Sequence, residues 1–302
     1  MRIFRYGLPV FVVLVVVLFW IFWPLPPSGL REGLYEGSYL AGKVHIRHLW
    51  TRPLLSILSS IPLGGSGPRD IPFFLRPLLP PMVELYALRG KGDGGWAVAA
   101  DLGWRSRLFR IVRGLVMNRI QYKGIGVVEG EYTIRTPSGV RLIFYQDGGT
   151  LFIAEGEMAI RALLGREQKS GPGESISRIS FPLSMEDDDI AYISFSNYDM
   201  EVTRVVEEME KEVGFLLLPS IRGIKGGTVK LRHGSGETLV GEIFFNVKEE
   251  GNIGEIEGDI SYLIEVLDRF LNSQNLEIEK TINSADGSVT AQIMIHPAGG
   301  PK

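Results

Sequence analysis

The sequence predicts an α+β protein: an N-terminal transmembrane helix followed by two tandem units of helices packed on antiparallel sheet. Three observations predict it. Leu8 to Trp23 is an unbroken apolar run. Downstream, short segments alternate apolar and polar residues between glycine-rich turns, the period of half-buried strands. Among them lie stretches with apolar residues three and four apart, and the order strand, helix, antiparallel strands, helix occurs twice.

The apolar run, with Tyr6 and Gly7 before it and Pro24 to Pro27 after it, reaches roughly 20 residues at about 1.5 Å each, a bilayer's thickness. Pro9 falls in the first turn, where its missing N–H is harmless. Trp20, Phe22 and Trp23 sit where aromatic rings favour the headgroup boundary. The run ends in Trp-Pro-Leu-Pro-Pro, without the small residues of a cleavage site, which favours an uncleaved signal anchor over a cleaved signal peptide or a buried core helix. Arg2 and Arg5 on the short side put the N-terminus in the cytoplasm and the bulk of the chain outside it, an inner-membrane, single-pass arrangement.

Composition narrows the rest. The 302 residues carry a net charge of −3, so no basic field argues for nucleic acid. There is no cysteine, which removes disulfides, thiolate chemistry, Cys-based zinc sites and diacylation. The 37 glycines fit a hairpin-rich sheet.

The expected divisions are a cytoplasmic N-terminus (1–7), the anchor (8–24), a proline-rich membrane-proximal segment (25–81), a first α+β unit (82–165), a linker or surface loop (166–189), a second unit (190–296) and a tail (297–302). Residues 24–33 read as an extended spacer, and Val44 and Ile46 mark one strand. Seven prolines between Pro53 and Pro81 break any long helix there. In the first unit, strands are expected at Val83–Leu88, Trp96–Ala100, Gly126–Ile134, Val140–Tyr145 and Thr150–Ala154, with helices near Trp104–Asn118 and Glu157–Leu164. In the second, strands are expected at Ile190–Phe195, Gly227–Arg232, Thr238–Val247, Leu276–Ile282 and Ser288–Ile295. Asp199 and Asp259 are the expected caps of its two helices.

Residues 122–164, YKGIGVVEGEYTIRTPSGVRLIFYQDGGTLFIAEGEMAIRALL, are similar to a segment of bacterial single-pass envelope proteins with a duplicated extracytoplasmic domain of unknown function: hairpin, Gly-Gly turn, strand, short helix. The resemblance implies one membrane pass and a duplicated domain. It implies no reaction and no catalytic residue.

Reaction chemistry is sought and not found. There is no G-x-S-x-G, S-x-x-K or P-loop, and Gly124-Ile125-Gly126 lacks the third glycine of a dinucleotide site. His45 and His48 would point to opposite faces of a strand, and His233 and His296 stand apart, so no metal is expected. Glu186 to Asp189 are consecutive carboxylates without the glycine turn of a calcium loop, and read as a solvated loop. Arg107, Arg110 and Arg113 line one helical stripe suited to phosphate, carboxylate or an acidic partner, or else form an ordinary solvated face. No catalytic residue and no cofactor is expected. The leading reading is a non-catalytic scaffold or binding protein of the bacterial envelope, with an envelope protein or lipid as partner and the membrane reached through the N-terminal helix. A lipid or hydrophobic-ligand carrier is the alternative, with Met185, Met200 and Met209 as adaptable lining. An envelope hydrolase using Glu155 and Glu157 is third.

Overall fold

The computed structural model describes residues 15, 17, 19, 23–28, 34, 38–46, 48, 80–88, 95–111, 126–128, 131–135, 141–155, 185–186, 188–213, 219–249, 252–273 and 275–298. Their twelve strands form one antiparallel sheet. They are β1 (Ser38–His45), β2 (Met82–Leu88), β3 (Gly95–Asp101), β4 (Gly126–Val128), β5 (Glu131–Arg135), β6 (Arg141–Asp147), β7 (Thr150–Glu155), β8 (Asp189–Ser196), β9 (Ile224–His233), β10 (Leu239–Val247), β11 (Leu276–Ala285) and β12 (Ser288–Pro297). The helices are α1 (Glu201–Val213), a short 3-10 helix (Pro219–Gly223) and α2 (Ile253–Asn272). Residues 105–111 are also helical.

The strands run across the sheet as β11-β12-β10-β9-β8-β1-β2-β3-β7-β6-β5-β4. Without the β4–β5 hairpin this order is a palindrome about the β1–β8 boundary. On each side three strands meander outward, and the last hairpin folds back with its second strand inside. The joint is β1, which pairs with β2 on one side and β8 on the other. The expectation of two tandem units is corrected here: β1, read from the sequence as a lone strand near the membrane, merges both halves into one sheet. Period-two alternation specifies a strand but not the sheet it joins.

The expected transmembrane helix is corrected as well. Among the described residues no helix is long and apolar enough to cross a membrane. Of the Leu8–Pro24 run, Val15, Val17, Phe19, Trp23 and Pro24 are described. An apolar run predicts a segment that leaves water, but Val15, Val17, Phe19 and Trp23 are exposed. The longest helix among the described residues, α2, has 20 residues but carries Glu255, Glu257, Asp259, Glu265, Asp268 and Arg269, so it buries one stripe against the sheet.

Paired residues share a face, and the register therefore sorts the cores. Phe195, Gly227, Phe245 and Val289 lie in one row, as do Ile193, Val229, Ile243 and Ala291. That face of the second half is covered by Val202 and Val206 of α1, Ile221 of the 3-10 helix, and Ile256, Ile260, Ile264 and Leu271 of α2. The first half packs its core on the opposite face: Ala41, Tyr86, Ala97 and Ala154 form one row, with Ala99 and Phe152 in the next. One sheet thus carries two cores on opposite faces.

Element boundaries follow local chemistry, with three differences from expectation. The expected strand Gly126–Ile134 is two strands, β4 and β5, paired as a hairpin. At the start of α1, Asn197 Oδ1 accepts the Thr203 N–H at 3.1 Å, a capping bond that the expectation centred on Asp199 did not include. Asp259 lies within α2, which begins at Ile253, and its carboxylate instead accepts the Ser220 N–H at 2.7 Å, capping the 3-10 helix.

Residues 25–28 of the expected spacer are docked on the sheet, not extended free of the domain. Gly149 donates to the Pro26 carbonyl at 2.7 Å, Leu25 N–H to Ser106 Oγ at 3.0 Å, and Ser28 N–H to Thr150 Oγ1 at 3.1 Å. A Cβ on Gly148 would run into the Pro26 carbonyl, and one on Gly149 would come to 2.5 Å from that of Leu25. The β6–β7 turn therefore requires both glycines.

Candidate functional site

The polar face of the second half continues into the first as a charged row. Glu84, Lys43, Tyr192, Lys230, Glu242, Gln292 and Thr281 are successive cross-strand neighbours. Lys43 Nζ lies 3.4 Å from Glu84 Oε1, and the Tyr86 hydroxyl donates to Glu84 Oε2 at 2.8 Å, which satisfies a buried carboxylate. Lys230 Nζ lies 3.0 Å from buried Asp189 and 3.8 Å from Glu186, and Arg232 lies 2.9 Å from Glu242. Hydrogen bonding to Asp189 raises the Lys230 pKa above its ordinary value, against the opposing effect of burial. Burial also raises the Tyr192 hydroxyl, which Thr228 and Lys230 partly offset.

At the end of these strands three histidines meet. The His45 and His48 rings have centroids 5.3 Å apart, and those of His48 and His233 are 5.4 Å apart. The expectation that His45 and His48 oppose each other is corrected: the strand ends at His45, and the helical turn at Ile46 and His48 cancels the period of two. His233, expected alone in its turn, is brought in because β9 runs one strand beyond β8 from β1. Among the described residues, no group of three or more His, Asp or Glu is placed to hold a metal ion. Burial first, then His48, hold His233 below its ordinary pKa of 6.5, and Asp188 acts in the other direction.

The two sheet edges differ. β4 at one end has three residues; β11 at the other has ten, paired with β12 throughout and without a register shift. The Asp286-Gly287 turn, with φ of 47° and 73°, closes on the pair Ala285–Ser288 as a two-residue hairpin. Hydrogen-bonded pairs alternate from that point, so the N–H and C=O groups of Leu276, Ile278, Lys280, Ile282 and Ser284 point away from β12. Among the described residues no strand pairs with that edge. Its palindromic counterpart, β6, has the same edge filled by β5.

A third feature is apolar. On the face opposite its own core, the first half presents Val83, Leu85, Val98, Leu151, Ile153 and Phe144, half-buried apart from Leu85, which is 42% exposed in the middle of β2. Gly42 lies beside Leu85 in the register, and a Cβ on it would come to 3.4 Å from Ile193 Cγ1.

Of the expected anion-binding stripe, Arg107 is half-buried and Arg110 exposed on the helical stretch 105–111; Arg113 lies outside the described residues. The most buried residues of that stretch are Arg105 and Ser106. Glu155 accepts a hydrogen bond from Trp96 Nε1, and Glu157 lies outside the described residues. In the Glu186–Asp189 run, Glu186 is largely exposed but Asp189 is buried on Lys230, so that run is not simply a solvated loop. Met200, at φ 58°, turns the chain into α1 and lies 3.2 Å from Lys248 Nζ through its sulfur.

Sequence reasoning missed Asn197. Fully buried, its Nδ2 donates to Thr203 Oγ1 at 2.9 Å and to the carbonyls of Ile221 at 3.0 Å and Ile224 at 3.1 Å. Only its place after an apolar strand hinted at such a role.

No family model matches the sequence, and no curated protein matches it. Among solved structures, two crystal forms of TP0453 are similar. Form I has a TM-score of 0.39 and 10% identity over 90% of this chain and 94% of that one. Form III has a TM-score of 0.41 and 9% identity over 90% and 95%.

Proposed function

We propose that this chain is a non-catalytic binding or scaffold protein that takes an extended segment of a partner protein onto the β11 edge of its sheet. The observation that carries the reading is the contrast between edges. Natural sheets blunt exposed edges with short strands, bulges, proline or charge. β4 is short, whereas β11 offers ten regular residues whose only outward-bonding charge is Lys280, itself 3.6 Å from Glu265. The occupant suggested by β5 on the equivalent edge is an antiparallel strand, which would gain main-chain hydrogen bonds from five residues of β11. Glu277 and Glu279 on the solvent face favour basic residues opposite them.

Hydrogen exchange on the full chain tests this, comparing protein isolated in mild detergent with its native partners and the same protein stripped of them. The amides of Ile278, Lys280 and Ile282 are expected to slow about tenfold or more in the complex. Lys280→Pro removes an outward N–H without breaking a bond to β12, so it should abolish that protection and cost about 1 kcal/mol of stability or less. Equal exchange in both preparations overturns the reading.

The half-exposed face around Leu85 favours a second reading, an apolar small-molecule ligand. In that case Leu85→Glu should remove binding of a fluorescent fatty-acid probe with the unfolding midpoint unchanged; unaltered binding, or none in the unsubstituted chain, rejects it.

A further inference from the structure

We infer that the strand β11 receives alternates apolar and basic residues, its apolar side chains joining the second core and its lysines or arginines meeting Glu277 and Glu279. This rests on the reading of β11 as a docking edge, and the two faces of that edge specify the pattern separately.

On the core face the edge residues are Leu276, Ile278, Lys280, Ile282 and Ser284. Leu276 is buried, and Ile278 and Ile282 are half-buried at the margin of the second core. An apolar side chain opposite either isoleucine extends that core and takes apolar surface out of water. Lys280 stands between them, but its ammonium lies 3.6 Å from Glu265 of α2, so it adds no net positive charge to the edge.

The solvent face carries Glu277, Glu279, Thr281 and Asn283, all exposed. His296, beside Glu277 in the register, lies 3.7 Å from Glu279 through Nε2. Thr281 and Asn283 are neutral, so the two carboxylates dominate the charge of this face. Backbone geometry sharpens the pairing. The outward N–H and C=O groups belong to the core-face residues, so an antiparallel strand makes its hydrogen-bonded pairs there. Glu277 and Glu279 therefore fall at non-hydrogen-bonded pairs, where side chains of the two strands approach most closely. A lysine or arginine at those places gains a cross-strand ion pair, whereas a glutamate meets like charge. The strand that fills the equivalent edge of β6 has the same kind of sequence: β5 reads Glu131, Tyr132, Thr133, Ile134, Arg135, polar and apolar in alternation.

The test uses the full chain in mild detergent, stripped of native partners, with short capped peptides near neutral pH. One peptide alternates valine with lysine and another valine with glutamate. The lysine peptide should slow exchange of the Ile278, Lys280 and Ile282 amides and bind about tenfold more tightly than the glutamate peptide. A third peptide, with the same valines and lysines in separate blocks, should give no such slowing. Glu277→Lys combined with Glu279→Lys should invert the order of the two alternating peptides. If that chain does not fold, Glu277→Gln combined with Glu279→Gln should remove most of the difference between them. Equal slowing by both alternating peptides overturns the charge assignment and leaves β11 a docking edge. Slowing by none of them while native partners still protect the edge overturns the whole pattern; if native partners also fail to protect it, the docking reading falls as well. Slowing that rises with the concentration of the stripped chain alone gives the edge to a second copy and overturns the inference.

Discussion

A single buried amide organises the entry to α1. Asn197 bonds two carbonyls and a hydroxyl through Nδ2 and accepts a helix N–H through Oδ1. Asn197→Ala leaves those groups buried and unsatisfied, and is expected to lower stability by about 3 kcal/mol in urea unfolding. A loss below about 1 kcal/mol would mean that water takes over its bonds. The sequence pointed only to Asp199, since a side chain next to the helix start is the simplest cap. The partners that decide the matter, Ile221 and Ile224, are more than twenty residues away, and no local pattern carries them. Lys230 makes a comparable point about charge. Its raised pKa stabilises the fold fully below the unfolded value of 10.5, and that contribution is lost as pH rises through the folded value. Lys230→Met should remove this alkaline step from a pH series of unfolding midpoints, and a step that survives assigns it to another group.

Strands and helices were the most legible elements, because each hairpin pairs a period of two with turn residues between. The Asp286-Gly287 and Gly148-Gly149 turns stand where the alternation placed them. The expected α2 face of Tyr262, Leu263, Val266, Leu267, Phe270 and Leu271 is rotated: Tyr262 and Val266 are exposed, and Ile256, Ile260, Ile264, Leu267 and Leu271 meet the core. What the alternation left open was which strands pair and where backbones pass closely. Gly227 shows the second problem: a Cβ there would sit 2.6 Å from Phe245 Cδ1 and against the Phe244 carbonyl. Gly258, mid-helix in α2, meets nothing within 4 Å. The two glycines are indistinguishable by composition yet should respond oppositely. Gly227→Ala is expected to destabilise by about 3 kcal/mol or prevent folding. Gly258→Ala should stabilise by about 0.8 kcal/mol, the helix-propensity difference. Paired denaturant melts of the two variants read this directly, and losses of equal sign would place the tight contact elsewhere.

At the scale of the molecule, the palindromic order and the continuous sheet make opposite suggestions. The palindrome suggests two units, each with its own core on its own face; the β1–β8 pairing runs main-chain hydrogen bonds straight across their boundary. The histidine cluster belongs to that boundary and was illegible for the same reason, since it depends on β1 lying one strand from β9. Interior strands bonded on both sides cannot separate without breaking a ladder in the middle of the sheet, so the sheet should unfold as one cooperative body. The chain supplies its own reporter, because all five tryptophans lie at or before Trp104, in the first half of the sequence. Ile260, on the face of α2 turned to the second core, is 2% exposed. Ile260→Ala should destabilise by about 2–5 kcal/mol. If the sheet is one folding unit, tryptophan fluorescence and far-UV circular dichroism should move together to the same lower midpoint, although the substitution lies in the second half of the sheet and Trp96 on β3 in the first. If fluorescence keeps its original midpoint while part of the dichroism shifts, the β1–β8 pairing joins two units that fold independently, and the sheet is continuous in geometry only.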